Sequence, residues 1–248
     1  MEKKKLKKGV KIFLIVVGVI LLLFAGLIGI EVYKDMQIEK KLNKEIQEIQ
    51  NIMDATEFDE EKFKAKLNNT VADGDYYKVE RAYKNYLRDY LAVIYEIKNF
   101  YNELDYENIL TIDTIKEDGP GFVSSKLYVN NAILELGTLK VKFNNFSDEE
   151  KVLSYLDKKV DKYYVNYFKT IIGDVSQSNT EKELSNELEK TNTFLDNVLG
   201  ILNYLSKYKD YWYISSDKLY FTDEEILNQY NDLLENVNTE NIDTESSM

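Results

Sequence analysis

The chain has 248 residues, 32 of them basic and 44 acidic, for a net charge of −12, and it contains neither histidine nor cysteine. Without thiols it has no disulfides, thiolate metal sites, cysteine lipidation or cysteine nucleophiles. Without imidazole it has no His ligands, Ser-His-Asp triad or histidine general base. So acidic a surface repels phosphate backbones, which argues against a nucleic-acid partner.

The first 11 residues hold six lysines against one acid, Glu2. Residues 12–30 follow as IFLIVVGVILLLFAGLIGI, with no charged or polar side chain. As a helix this run is about 28 Å long, close to the hydrocarbon thickness of a bilayer. Its Leu, Ile, Val and Phe favour insertion by on the order of 5–9 kcal/mol. The sequence therefore predicts a lipid bilayer as one partner, through a transmembrane anchor that includes Ile12, Leu21, Leu22, Leu23 and Ile30. Glu31 to Glu45 carries four lysines and four acids, so the lysine bias puts the 1–11 leader in the cytoplasm and the rest outside. A cleaved signal peptide is the competing reading. Its usual apolar core is ~7–15 residues with a small-x-small site, whereas Ala25 and Gly29 here have Leu23 and Leu27 at or near the required small positions. Ala25 and Gly29 also have small-xxx-small spacing, which could let two anchors approach closely, but ordinary glycine in a membrane helix is the better reading.

Beyond the anchor there are six glycines and one proline, and Lys, Glu, Leu and Ile are abundant, so long helices are expected. Residues 31–55 read as an amphipathic stalk helix, with Ile38, Leu42, Ile46, Ile49 and Met53 on one stripe. That stripe could form a coiled coil with another copy, but packing on the chain's own later helices is the better use. Thr56 with Glu57, Asp59 and Glu60 signals a short helix carrying Phe58, Phe63 and Leu67. Residues 76–106 show the clearest period, Val79, Tyr83, Tyr86, Tyr90, Val93, Ile97, Tyr101 and Leu104, over a helix of ~45 Å.

Asp118-Gly119-Pro120-Gly121 reads as a turn. Residues 122–144 fit a helix in part and alternate like a strand at Leu139–Phe143; helix is expected, since a lone strand has nothing to pair with. Ser147 with Glu150 reads as a capping box opening a helix through Leu153, Leu156, Val160, Tyr163, Tyr167 and Ile171 to Gly173. Thr180 with Glu183 opens another through Leu205 and Tyr208, where Gly200 suggests a close helix crossing. Trp212–Ile214 and Leu219–Phe221 around Ser215-Ser216-Asp217-Lys218 predict a small hairpin at 211–221. Thr222 with Glu225 caps a last helix reaching Val237, and residues 238–248 are expected to be a disordered acidic tail.

The predicted fold class is thus all-α. An anchor continues into a stalk, and residues 56–237 form an elongated antiparallel helical bundle with one small hairpin.

Site candidates are few. Two acids suffice for glycoside hydrolysis, but Asp148-Glu149-Glu150 and Asp223-Glu224-Glu225 each follow a capping Ser or Thr, so helix-dipole stabilisation accounts for them. Asp73-Gly74-Asp75 lacks the remaining spacing of a calcium loop and reads as a turn. The cluster Tyr208, Tyr211, Trp212, Tyr213, Tyr220 and Phe221 is the one surface suited to stacking on a peptide or sugar, with Tyr211, Trp212, Tyr213 and Tyr220 as its core. The better-supported reading has Trp212 and Phe221 plugging the bundle end while the tyrosines seal its rim. No phosphate loop, HExxH, GxSxG or CxxC motif is present, and no cofactor is implied.

Richness in Asn, Lys, Ile and Tyr is typical of AT-rich bacterial genes. The sequence therefore predicts a membrane-anchored, extracytoplasmic, non-enzymatic interaction protein of a bacterial cell envelope, with a protein or wall-polymer partner. The alternatives are a carboxylate-dependent wall hydrolase and an envelope sensor module.

Overall fold

The structure is a computed structural model and describes residues 33–241 other than 56, 177 and 178. The expected leader, the anchor with Ile12, Leu21, Leu22, Leu23 and Ile30, the Thr56 helix signal and tail residues 242–248 lie outside the described residues. Among the described residues no helix is long and apolar enough to cross a membrane. The chain is mostly helical with one two-stranded antiparallel hairpin near its C-terminus.

In chain order the helices are α1 (33–53), α2 (Glu60–Asn68), α3 (Gly74–Glu103), α4 (Ile112–Asp118), α5 (Val123–Asn144), α6 (Glu149–Leu153), α7 (Lys162–Ser176), α8 (Asn179–Lys207) and α9 (Glu224–Asn241). The hairpin strands are β1 (Trp212–Ser215) and β2 (Lys218–Phe221). Among the described residues two compact units emerge, one holding residues 33–85 together with Tyr155–Ile171, the other holding Tyr86–Ser154 and residues 172–241.

In the first unit, the apolar stripe of α1 is buried at Leu42, Ile46 and Ile49, so this helix packs on its own chain. Phe63, Leu67, Tyr76, Val79, Tyr83 and Phe168 complete that core. A cluster of charges lies inside it. Lys84 Nζ donates to Glu80 at 2.7 Å, to Glu45 at 3.1 Å and to the Asn69 carbonyl at 3.0 Å, giving each ammonium proton an acceptor. Glu80 in turn accepts the amides of Val71 and Ala72, at 3.1 and 2.9 Å. Lys66 bridges Glu45 and Glu48. Glu39 accepts the hydroxyls of Tyr76 and Tyr163, and Asn43 that of Tyr167.

In the second unit, α8 packs on α5 and on α9. Leu136, Leu139, Leu195, Val198, Ile201, Leu202 and Leu205 are buried. Tyr101 and Thr191 join their hydroxyls at 2.9 Å. The expected helix is present over 123–144, with Phe122 just before it, but α5 is apolar on two opposite faces. Ser125, Val129, Ala132, Leu136, Leu139 and Phe143 face inward, while Val123, Leu127, Leu134 and Val141 are exposed.

Several expectations need correction. The helix expected from 148 to 173 is two helices: α6 stops at Leu153 and α7 starts at Lys162. Polar side chains in between capture backbone groups that a helix would use: Ser154 Oγ donates to the Lys151 carbonyl, and Asp157 and Asp161 accept the amides of Lys159 and Tyr163. The later helix also runs past Gly173 to Ser176. Asp148, not Ser147, caps α6 by accepting Lys151 N at 2.8 Å. Likewise Asp223, not Thr222, caps α9 by accepting Ile226 N at 3.0 Å, and Thr222 donates instead to the Tyr211 carbonyl. A methyl at Gly200 would meet nothing within 4 Å, so no helix crosses closely there. The helix α4, capped by Thr111, was not expected, and α9 continues beyond Val237 to Asn241. The side chain of Thr180 lies outside the described part.

Replacing Lys84 with Met leaves Glu80 buried without a cation and Glu45 with Lys66 alone, and breaking a buried pair in this way costs roughly 3–5 kcal/mol. Urea unfolding of Lys84→Met followed by far-UV circular dichroism should show a loss of that order. The cluster also sets a pH dependence. Burial pushes the Glu45 carboxyl up, but hydrogen bonds from Lys66 and Lys84 outweigh it and hold the group below its ordinary 4.5. A carboxylate depressed by folding adds stability that is present above its unfolded value and disappears as pH falls through the lower folded value. Thermal midpoints should therefore drop below pH 4.5 in the native chain, and Glu45→Gln should lose stability at neutral pH and show a shallower acid limb.

Candidate functional site

The hairpin owes its shape to its turn. Ser216 and Asp217 both have positive φ, 49° and 57°, the backbone of a two-residue type I′ turn whose twist matches the strands it joins. Neither residue is glycine, and aspartate is among the side chains that tolerate this region. Asp217 is further held by an ion pair with Lys116 of α4, which keeps its carboxyl below the ordinary range. The register is Trp212 to Phe221, Tyr213 to Tyr220, Ile214 to Leu219 and Ser215 to Lys218.

Because a strand alternates its faces, this register sorts the aromatic side chains. Trp212, Ile214, Leu219 and Phe221 are half-buried, and Tyr213 and Tyr220 are exposed. The Trp212 indole N–H donates to the Leu205 carbonyl at 2.8 Å. That carbonyl lies in the last turn of α8, where intrahelical partners run out. The Trp212 ring lies 6.1 Å from that of Phe122, a fully buried residue in the left-handed region just before α5. Phe221 meets the ring of Tyr230 on α9 at 4.9 Å. Gly119 completes the seat, since a methyl there would come within 2.4 Å of the Ile115 carbonyl and 3.2 Å of the indole.

On the outer face, the Tyr213 and Tyr220 rings stack across the strands at 5.5 Å and 17°, exposed by 51% and 41%. Tyr211 is 45% exposed just before β1, and packs on Tyr208, over which Lys207 lies. Of the four residues expected to form a binding surface, Tyr211, Tyr213 and Tyr220 are thus on the outside and Trp212 is the rivet beneath. Phe221 also turns inward. A stacked pair with two hydroxyls can hold a flat or apolar group by ring contact and hydrogen bonding.

The acidic triplets are accounted for by Asp148 and Asp223 as caps. Gly74, at φ 61°, opens α3 within the Asp73–Asp75 turn, and Asp75 pairs with Lys78. No group of three His, Cys, Asp or Glu side chains suited to a metal ion occurs among the described residues. The buried Glu45–Lys84–Glu80 cluster was not anticipated. Glu80 and Lys84 sit four apart, each one position after Val79 and Tyr83 and so ~100° round the helix from them, a spacing that in sequence reads as an ordinary surface ion pair. With every Lys84 proton committed, the cluster is a fastening within the first unit and offers no unoccupied base.

The chain matches no family model, no curated protein and no solved structure.

Replacing Gly119 with Ala should displace the indole. Trp212 is the single tryptophan, so its fluorescence reports this directly. Gly119→Ala should shift the emission to the red and lower the unfolding midpoint. Trp212→Phe, which keeps most of the packing and loses the bond to Leu205, should cost about 1 kcal/mol.

Proposed function

We propose that this chain is a non-enzymatic interaction protein of a bacterial cell envelope: a single-pass anchor at residues 12–30, a cytoplasmic leader, and a helical region outside the membrane that binds a protein or wall polymer. The observation that carries the binding role is the stacked, half-exposed Tyr213–Tyr220 pair. Exposed aromatic side chains cost solubility, yet here they stand on a strand pair fixed from behind by Trp212, Phe221 and Asp217. A rigid platform of this kind loses little side-chain entropy on binding, which is why tyrosine is enriched at interaction hot spots. The anchor rests on the apolar run and its lysine-rich flank.

A photo-crosslinking side chain placed at Tyr211 in intact cells should yield a discrete adduct with a protein or a glycan. Tyr213→Ala with Tyr220→Ala should cut that adduct by roughly 30-fold, as expected of a hot-spot loss near 2 kcal/mol. The circular dichroism spectrum should stay unchanged. A platform that yields no adduct, or the same adduct from an equally exposed site at Glu61, rules out the binding role. A reporter active only outside the cytoplasm, fused after residue 248, should be active; inactivity rules out the topology.

A further inference from the structure

We infer that the outer face of α5 is a seam on which a second copy of this chain docks, antiparallel and about a two-fold axis. Val123, Leu127, Leu134 and Val141 fall within ~40° of one another around the helix. They are 74%, 61%, 70% and 64% exposed, on the side opposite the buried face. Leu127, Leu134 and Val141 are spaced by seven, the repeat that keeps one stripe facing a second helix along its length. The positions between them are small or polar and open: Asn130 is exposed, and a methyl at Gly137 would meet nothing within 4 Å.

This stripe is complementary to itself. In an antiparallel pair with the axis beside residue 132, Val123 faces the second copy's Val141, Leu127 faces Gly137, and Leu134 faces Asn130. Symmetry repeats each match, so every leucine meets a small or polar side chain and the seam closes on two copies. A parallel arrangement would set leucine on leucine and leave Gly137 opposite Gly137. Asn130, whose amide N–H already donates to the Lys126 carbonyl at 2.7 Å, favours one register, as a lone polar residue does in helix pairs.

Charge favours the same occupant. The chain as a whole is −12, yet α5 carries Lys126, Lys140 and Lys142 against Glu135 alone, so this helix adds nothing to the acid excess that keeps two copies apart. Those lysines are engaged within the chain, with Ser206, Glu189 and Glu96, and so do not form a cationic rim for anionic lipid. Six layers span ~27 Å of helix.

The absence of native cysteine makes the test direct. Val123 and Val141 are 18 positions apart in sequence, ~27 Å along one helix, beyond the reach of a disulfide within a chain. Oxidation of the full-length Val123→Cys/Val141→Cys chain in detergent micelles should give a disulfide-linked dimer. Each single variant, and an exposed Glu61→Cys control, should give about tenfold less or lower still. Adding Leu134→Asp, at a position 70% exposed in the monomer, should cut the dimer by about tenfold or more. Failure of the double variant to crosslink overturns the proposal. So does crosslinking by Val123→Cys alone, which means a parallel pair, equal yield from Glu61→Cys, which means collision, or a ladder of higher species, which means an open contact. When membranes are oxidised before solubilisation, a bond to a different protein instead of a second copy overturns it as well.

Discussion

A lysine shut away from water holds the first unit together. The ammonium of Lys84 meets Glu80 on its own helix, Glu45 on α1 and the Asn69 carbonyl in the loop after α2, so three separate stretches are tied at one point. Burying that charge is costly, and only a complete set of acceptors offsets the cost. Glu80 extends the tie by accepting the amides of the loop that leads into α3. The arrangement specifies which face of α1 packs, because a slip by one turn would strand Glu45 and Lys84 apart. Apolar burial alone tolerates such slips far better.

The second unit uses another device. Its hairpin is too short to be stable alone, and it survives because one face is fastened to helices. The indole N–H of Trp212 ends on an orphan carbonyl of α8, Phe221 lies on α9, and the turn is held from α4. What is left on the other face is a rigid display of tyrosine. Rigidity and exposure therefore have one origin: the pleat that sends Trp212 inward sends Tyr213 outward.

Much of this was legible in sequence. The periodicity of α3, the helical nature of residues 123–144, the hairpin and its aromatic character all follow from residue spacing. The break between α6 and α7 was not legible, because Leu153, Leu156, Val160 and Tyr163 keep a helical period across residues whose backbone is claimed by Ser154, Asp157 and Asp161. The caps were displaced by one residue for a related reason. In Ser-Asp-Glu-Glu and Thr-Asp-Glu-Glu, two neighbouring side chains can each cap, and local sequence does not rank them.

The sequence by itself determined the helical class, the absence of thiol and imidazole chemistry, the acidic surface and the apolar run at residues 12–30, since composition and periodicity act along the chain. Only the tertiary structure decided that Glu45, Glu80 and Lys84 share one buried site, that Trp212 is a rivet and Tyr213 a surface, and that α5 has an apolar face left over once its other side is packed. Those outcomes depend on which groups, distant in sequence, arrive at the same place, and burial and pairing energies are settled there rather than by spacing along the chain.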